Sequence, residues 1–313
     1  LNPWGSSQNN MKNNFDTVCI IGLGLIGGSI GLSMKKNNFE SKVIGYAKTE
    51  RTLSRAVERG LVDDAEKNLV KAVNGADLII LATPLSTFKS IIKEIAPFLK
   101  KGSIVTDTGS AKFTVLEELK DLIPKDVEFI PGHPIAGTEE SGPDSGFPEL
   151  FENRWCILTP TKDNSEESIK SIKYFWELLG SKVEIMDALH HDKVLAITSH
   201  IPHLIAYNIV GTANDLANVT DSEVVKYSAG GFRDFTRIAA SDPKMWSDIF
   251  TYNSEAVLEM LDLFSNDLIK LKESILKKDT NMLFSSFEKT RNVRKRIIDA
   301  GQDDNKIDFG RKK

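Results

Sequence analysis

The chain has 313 residues, 41% hydrophobic and 27% charged, with a net charge of −4. That length accommodates two domains with separate cores. Mild acidity provides no basic surface for nucleic acid or an anionic membrane, and no uninterrupted apolar run reaches bilayer length.

Residues 1–15, beginning "LNPWGSSQNN", are polar and aperiodic. They read as a disordered extension or tag remnant, with Met11 as a natural start. Strands and helices then alternate. "TVCIIGLG" is an apolar strand closed by glycine, and "SIGLSMKKN" a helix leaving a glycine-rich turn. "KVIGYA" is a second strand, and "ERTLSRAVERG" a helix ended by Gly60. "ADLIILATP", "FKSIIKEIAPFL", "SIVTDTGS" and "FTVLEELKDLI" continue as strand, helix, strand and helix. "VEFIPG", "RWCILTP" and "KVEIMD" are further strands, the last preceded by the helix "EESIKSIKYFWELLG". This order predicts an α/β fold, a Rossmann-type domain over 16–187 with a mostly parallel sheet covered on both faces. Cys19 and Cys156 fall in its apolar runs. They read as small core residues of a reducing, cytoplasmic setting rather than a disulfide or metal site.

From Ala188 the pattern becomes helical. "HHDKVLAITSHIPHLIAYNIV" is apolar nearly all round, so it must be buried in a core or between subunits. "SEAVLEMLDLFSNDLIKLKESI" and "NMLFSSFEKTRNVRKRIID" are amphipathic. An all-helical substrate and dimerisation domain is expected over 188–300, hence a homodimer. Residues 301–313 form a polar tail.

"GLGLIGGS" carries G-x-G-x-x-G at Gly22, Gly24 and Gly27, with Leu25 and Ile26 between the last two. It follows a strand and opens a helix, the context that makes it a dinucleotide fingerprint. Gly22 permits the tight turn, Gly24 the approach of a pyrophosphate, and Gly27 close helix–strand packing. The helix start supplies free N–H donors to the anion. Where NAD binders place an acid for the ribose 2′-hydroxyl, this chain has Ala47. Lys48, Thr49 and Arg51 follow, a set suited to a 2′-phosphate or simply to a solvated helix start. NADP or dual specificity is favoured over strict NAD. "ATP", with Thr83 and Pro84, ends one strand and "DTGS", with Ser110, another. Both lie at the carboxyl edge, where open parallel sheets bind ligands.

His133, in the stiff, loop-like "GHPIAGTEESG", follows a strand and reaches the same edge. A dehydrogenase must dispose of a hydroxyl proton, and imidazole suits that task near neutrality. Ser110 is placed to orient the same hydroxyl. His200 and His203 in "SHIPH" share a helical face. With no third ligand apparent they imply no metal, leaving core or substrate-cleft roles. Beyond the turn "AGGF", Asp234 and Arg237 share a face; Arg237 suits a carboxylate, or an internal ion pair with Asp234. Glu139 and Glu140 find no role.

"IGLGLIGGS", "DTGSAK", "GHPIAGTEESG", "HDKVLAITSHIPH" and "GGFRDFTRIAASDPKMW" occur in this order. Together they resemble the prephenate/arogenate dehydrogenase family of tyrosine biosynthesis, over roughly residues 16 to 300. The resemblance implies oxidative decarboxylation of a cyclohexadienol bearing a ring carboxylate. Hydride leaves ring C4 for NAD(P)+, CO₂ leaves C1, and 4-hydroxyphenylpyruvate or tyrosine results. It assigns His133 to accept the C4 hydroxyl proton and Ser110 to position His133 and the nicotinamide. Arg237 holds a substrate carboxylate, His203 lines the side-chain end of the pocket, and Gly230 and Trp246 lie near it. The departure at Ala47, where many members carry Asp, bears on the cofactor. The competing readings are a β-hydroxyacid-type dehydrogenase, whose helical-domain lysine motif is not found here, and a non-catalytic nucleotide-sensing module.

Overall fold

The computed structural model describes residues 15–215, 226 and 230–299. The expectations for 1–14 and 300–313 lie outside the described residues. Phe15, assigned above to the extension, is instead core: it is buried and meets Phe175 edge-on at 6.3 Å.

Six parallel strands form the main sheet. They are β1 (Thr17–Ile21), β2 (Lys42–Tyr46), β3 (Asp64–Glu66), β4 (Leu78–Leu81), β5 (Ile104–Asp107) and β6 (Glu128–Phe129), in the order β3-β2-β1-β4-β5-β6. The order reverses beside β1, which pairs with β2 on one side and β4 on the other. A crevice opens at that reversal, at the strands' carboxyl ends. Helices α1 (Leu25–Lys36), α2 (Glu50–Glu58), α3 (Leu69–Val73), α4 (Phe88–Ile95) and α5 (Phe113–Leu119) are the crossovers.

Strand alternation divides the core between two faces. Val18, Ile20, Leu78 and Ile80 pack with Ile30, Met34, Phe151, Phe175 and Trp176. Cys19, Ile21, Ile79 and Leu81 pack with Ile91, Ile92 and Val115, and also with Trp246 and Ile249 of the helical half. Both cysteines are free and buried; burial pushes the Cys19 thiol up to about 12.

The last three expected strands do not extend this sheet. β7 (Gly132–Pro134), β8 (Trp155–Leu158) and β9 (Lys182–Ile185) form a second sheet, β7 antiparallel to β8 and β9 parallel to it, with α6 (Glu166–Leu178) between β8 and β9. The "VEFIPG" run breaks at Ile130–Pro131, because proline supplies no ladder donor. β3 and α3 have no counterpart in the sequence reading. Their segment, "DDAEKNLVKAV", is too short and polar to show a period.

From Ala188 the chain runs as α7 (Ala188–Leu195), a π-helical turn (Ala196–His200) and α8 (Ile201–Asn214). Contrary to the sequence reading, this continuous helix is long and apolar enough to cross a bilayer by length and composition. It interrupts its apolar surface with His190, His191, Asp192 and Lys193, and packs its buried residues against the helix from Ser254. α9 (Gly230–Thr236), α10 (Pro243–Tyr252), α11 (Ser254–Leu276) and α12 (Thr280–Asp299) follow. Gly230 thus begins a helix where a turn was expected; Ser228 and Ala229 lie outside the described residues.

Candidate active site

The glycine motif has the expected geometry at each position. Gly22 has φ +102°, and a Cβ there would stand 2.5 Å from the Ala82 carbonyl oxygen and 2.8 Å from Thr83 Cγ2. A Cβ on Gly27 would fall 1.9 Å from the Gly22 carbonyl oxygen. Gly24 differs: its Cβ would meet nothing within 4 Å. It starts α1 with no side-chain capping bond and no acid in the first turn. Leu25 and Ile26 are half-buried behind it. Open space above uncapped N–H groups is the cradle a pyrophosphate needs, so the residues present fit a dinucleotide.

At the end of β2, Ala47 is buried, and Lys48, Thr49 and Arg51 are exposed. Thr49 is used locally, capping α2 by accepting from the Thr52 N–H at 3.2 Å. Lys48 and Arg51 have no ion pair among the described residues, whereas Glu50 is drawn to Lys67 at 2.7 Å. After β4, Thr83 pairs with the Thr87 hydroxyl at 2.7 Å, and Pro84 precedes a 3-10 turn over Leu85–Thr87.

His133 lies within β7, opposite Ile157, rather than in a free loop. Its Nδ1 is 2.8 Å from His191 Nε2. Ser110, half-buried after β5, makes no hydrogen bond to it among the described residues; the partner of His133 Nδ1 is His191. His191 Nδ1 is in turn 2.8 Å from Asp192 Oδ1. Asp192 also accepts the N–H groups of Lys112 and Phe113, both at 2.9 Å. Beneath β7, Lys112 pairs with Asp107 and donates to the Gly132 carbonyl at 2.7 Å, with both side chains fully buried. His133 Nε2 has no partner among the described residues.

The helical half closes this circuit. Asn253 Nδ2 donates to the Asp192 carbonyl at 2.8 Å and to His200 Nδ1 at 3.0 Å. His200 is fully buried and meets Trp246 edge-on, while His203 stacks on Trp246 at 3.7 Å. His203 Nδ1 donates to the Ser199 carbonyl at 2.8 Å. The π-helical turn brings both histidines onto one indole, fitting the tendency of such turns to mark functional sites. Arg237 pairs with Glu139 at 3.2 Å, not with Asp234, which pairs with Arg233. Glu139 thereby acquires a partner, six residues beyond His133. Gly230 lies in the same helix as Asp234.

Burial lowers the pKa of all four of these histidines, and at His133, held well below its ordinary value, the charges of His191, Lys112 and His200 add to it. His200 falls to about 4. The unfolded chain therefore binds more protons than the folded one below the ordinary value of 6.5. Stability is complete above that pH and is lost as pH falls toward about 4. Thermal unfolding at pH 5 is expected several degrees below that at pH 7.5, whereas a flat profile would contradict burial of the neutral rings.

A glycine turn with room for a dinucleotide, in a chain that also bonds a buried imidazole to its helical half, fits a class, the two-domain nucleotide-dependent dehydrogenases. Models of the prephenate dehydrogenase nucleotide-binding domain and dimerization domain match residues 30–185 and 187–289. The chain belongs to the prephenate dehydrogenase family. It is 40% identical to a cyclohexadienyl dehydrogenase of Zymomonas mobilis, over 90% of this chain and 95% of that one. It is 32% identical to a Bacillus subtilis prephenate dehydrogenase, over 92% and 76%. Among solved structures, prephenate dehydrogenase from A. aeolicus with hydroxyphenyl propionate and NAD+ aligns with TM-score 0.84 and 36% identity, over 90% of this chain and 98% of that one. Arogenate dehydrogenase from Synechocystis aligns with TM-score 0.74 and 29% identity, over 90% and 99%. A 3-hydroxyisobutyrate dehydrogenase from Mycobacterium tuberculosis, 13% identical with TM-score 0.51 over 78% of this chain and 87% of that one, shares the fold alone; nothing favours the β-hydroxyacid or sensing alternatives.

Proposed function

We propose that this enzyme oxidatively decarboxylates prephenate, arogenate or both, with His133 as the base. The observation that carries this reading is His133 itself, pinned through Nδ1 in a buried site with Nε2 left without a partner among the described residues. A nicotinamide bound over the glycine turn would supply the acceptor for the ring C4 hydrogen, which leaves as hydride. His133 Nε2 takes the C4 hydroxyl proton as the carbonyl forms. Cleavage of the bond from C1 to the carboxylate sends its electrons through the ring to the C4 oxygen. That oxygen recovers the proton from His133 and ends as a phenol. Aromatisation is downhill, so alignment and transient proton storage are the main tasks of the protein. Arg237 holds a substrate carboxylate, exchanging Glu139 for it, and His203 and Trp246 wall the side-chain end. His200 supports that wall, Gly230 borders it, and Ser110 faces the nicotinamide.

For the cofactor, unpaired Lys48 and Arg51 beside Ala47 support NADP or dual use. One assay matrix, two substrates against NAD and NADP, tests both assignments. No turnover in any cell overturns the function, and a KM for NAD far below that for NADP overturns the cofactor preference. Gly24→Ala separates binding from folding: its Cβ has room in the protein but would enter the pyrophosphate space. Thermal stability is expected to stay within about a degree, while the cofactor Kd rises about tenfold or more, roughly 1.4 kcal/mol. Equilibrium dialysis and a melting curve check this.

The helical half supports a homodimer. Leu258, Leu276 and Phe284 are 59%, 72% and 68% exposed, too large an apolar face for a lone chain. Sedimentation is expected to give twice the chain mass of 34.8 kDa; a monomer at micromolar concentration would refute it. Two free, buried thiols fit a reducing cytoplasm.

A further inference from the structure

We propose that His191 and Asp192 are positioning residues that fix the tautomer of His133, leaving Nε2 as its proton-accepting nitrogen. This rests on His133 being the base. Asp192 Oδ1 accepts the Lys112 N–H and Oδ2 accepts the Phe113 N–H. A carboxylate offers His191 only acceptors, so His191 Nδ1, at 2.8 Å, carries a proton and donates. In a neutral His191 the proton is then absent from Nε2, which must accept. Its partner at 2.8 Å, His133 Nδ1, therefore donates. With both rings neutral, one proton arrangement satisfies every bond, and it leaves a lone pair on His133 Nε2. The same chain supports the charged state. Once His133 has taken the hydroxyl proton, its positive charge sits one imidazole away from the Asp192 carboxylate, until the proton returns to the C4 oxygen.

The surroundings favour this arrangement. Lys112 and Asp107 form a buried ion pair whose charges oppose each other at His191, while of the two only Lys112 acts on His133 and favours its neutral ring. Asp107 is itself pushed up by burial and held down by Lys112. His200 faces from the π-helical turn and is lowered to about 4. Cys156 lies opposite Pro134 on β8, its thiol pushed well up by burial. None of these four hydrogen-bonds a side-chain nitrogen of His133 or His191. Asn253 holds the Asp192 carbonyl, so the helix carrying the dyad cannot slide without breaking the contact to α11.

His191→Leu removes the acceptor. The expected result is a kcat loss of about 10²-fold or more, with substrate KM and cofactor Kd within about threefold. His191→Gln retains an acceptor oxygen for His133 Nδ1 and is expected to recover about tenfold over the Leu variant. Asp192→Asn keeps an oxygen for the Lys112 and His191 N–H groups but withdraws the negative charge, so both tautomers should hold while kcat falls by about tenfold or more. Nitrogen-15 NMR of histidine-labelled, dinucleotide-bound wild-type enzyme reads the tautomer without any substitution. His133 should show a protonated Nδ1 and an unprotonated Nε2. A protonated Nε2 in the wild type, or wild-type kcat in His191→Leu, overturns the proposal. An inactive His133→Asn beside a fully active His191→Leu would leave the base and remove the relay; an active His133→Asn would remove the base itself.

Discussion

Replacing His133 with Asn is expected to lower kcat by ~10²–10⁴-fold, the range a positioned general base contributes. Asn keeps a polar group of similar reach but cannot accept and return a proton at neutral pH. β7 should persist, because its pairing with β8 uses backbone groups. Substrate KM and cofactor Kd are therefore expected to stay near wild type, which stopped-flow binding and steady-state rates check together. Wild-type turnover in this variant would take His133 out of the mechanism. Because burial holds the His133 pKa well below 6.5, the free base persists through the neutral range. The acidic limb of kcat/KM should accordingly lie below that value in the wild type.

Arg237→Gln is the second large effect, and it should appear in KM. A hydrogen bond to a charged group is worth about 1.5–3 kcal/mol, or roughly 10–100-fold in KM. Arg237 is 44% exposed at its side chain and held at 3.2 Å by Glu139, whose side chain is 17% exposed, so its loss leaves a carboxylate that still reaches solvent. Folding should be little affected, and kcat should change by less than about threefold. An unchanged KM for both substrates would confine Arg237 to its pairing with Glu139. The sequence reading set a carboxylate contact against an Asp234 pair. The fold removes the latter, because Asp234 turns to Arg233.

Much of the molecule was legible beforehand because it is written in local patterns. Gly22, Gly24 and Gly27 announce themselves by spacing after an apolar strand; Gly22 and Gly27 prove to have a steric reason within the protein, while a Cβ on Gly24 would enter open space. The doubly covered sheet follows from apolar runs such as "CIIGLG" and "LIILATP", which no half-exposed strand would carry. His133, His203 and Arg237 were candidates by residue type and position along the chain, and Trp246 through the family resemblance. β3 and α3 were not legible, since five residues or fewer leave too little periodicity.

The partners of those residues were decided elsewhere. Nothing local ties His133 to His191, 58 positions away, or Arg237 to Glu139, 98 positions away. Nor does "HHD" show which histidine turns inward. That depends on the phase of α7, on the π-helical turn after it, and on Asn253 of a later helix gripping the Asp192 carbonyl. The sequence by itself determined the dehydrogenase plan and singled out His133 as the proposed base, because strand ends, glycine spacing and residue chemistry are local properties. Only the tertiary structure decided how that base is held and oriented. Hydrogen bonds between distant elements require a donor and an acceptor within 3 Å, and packing alone sets that distance.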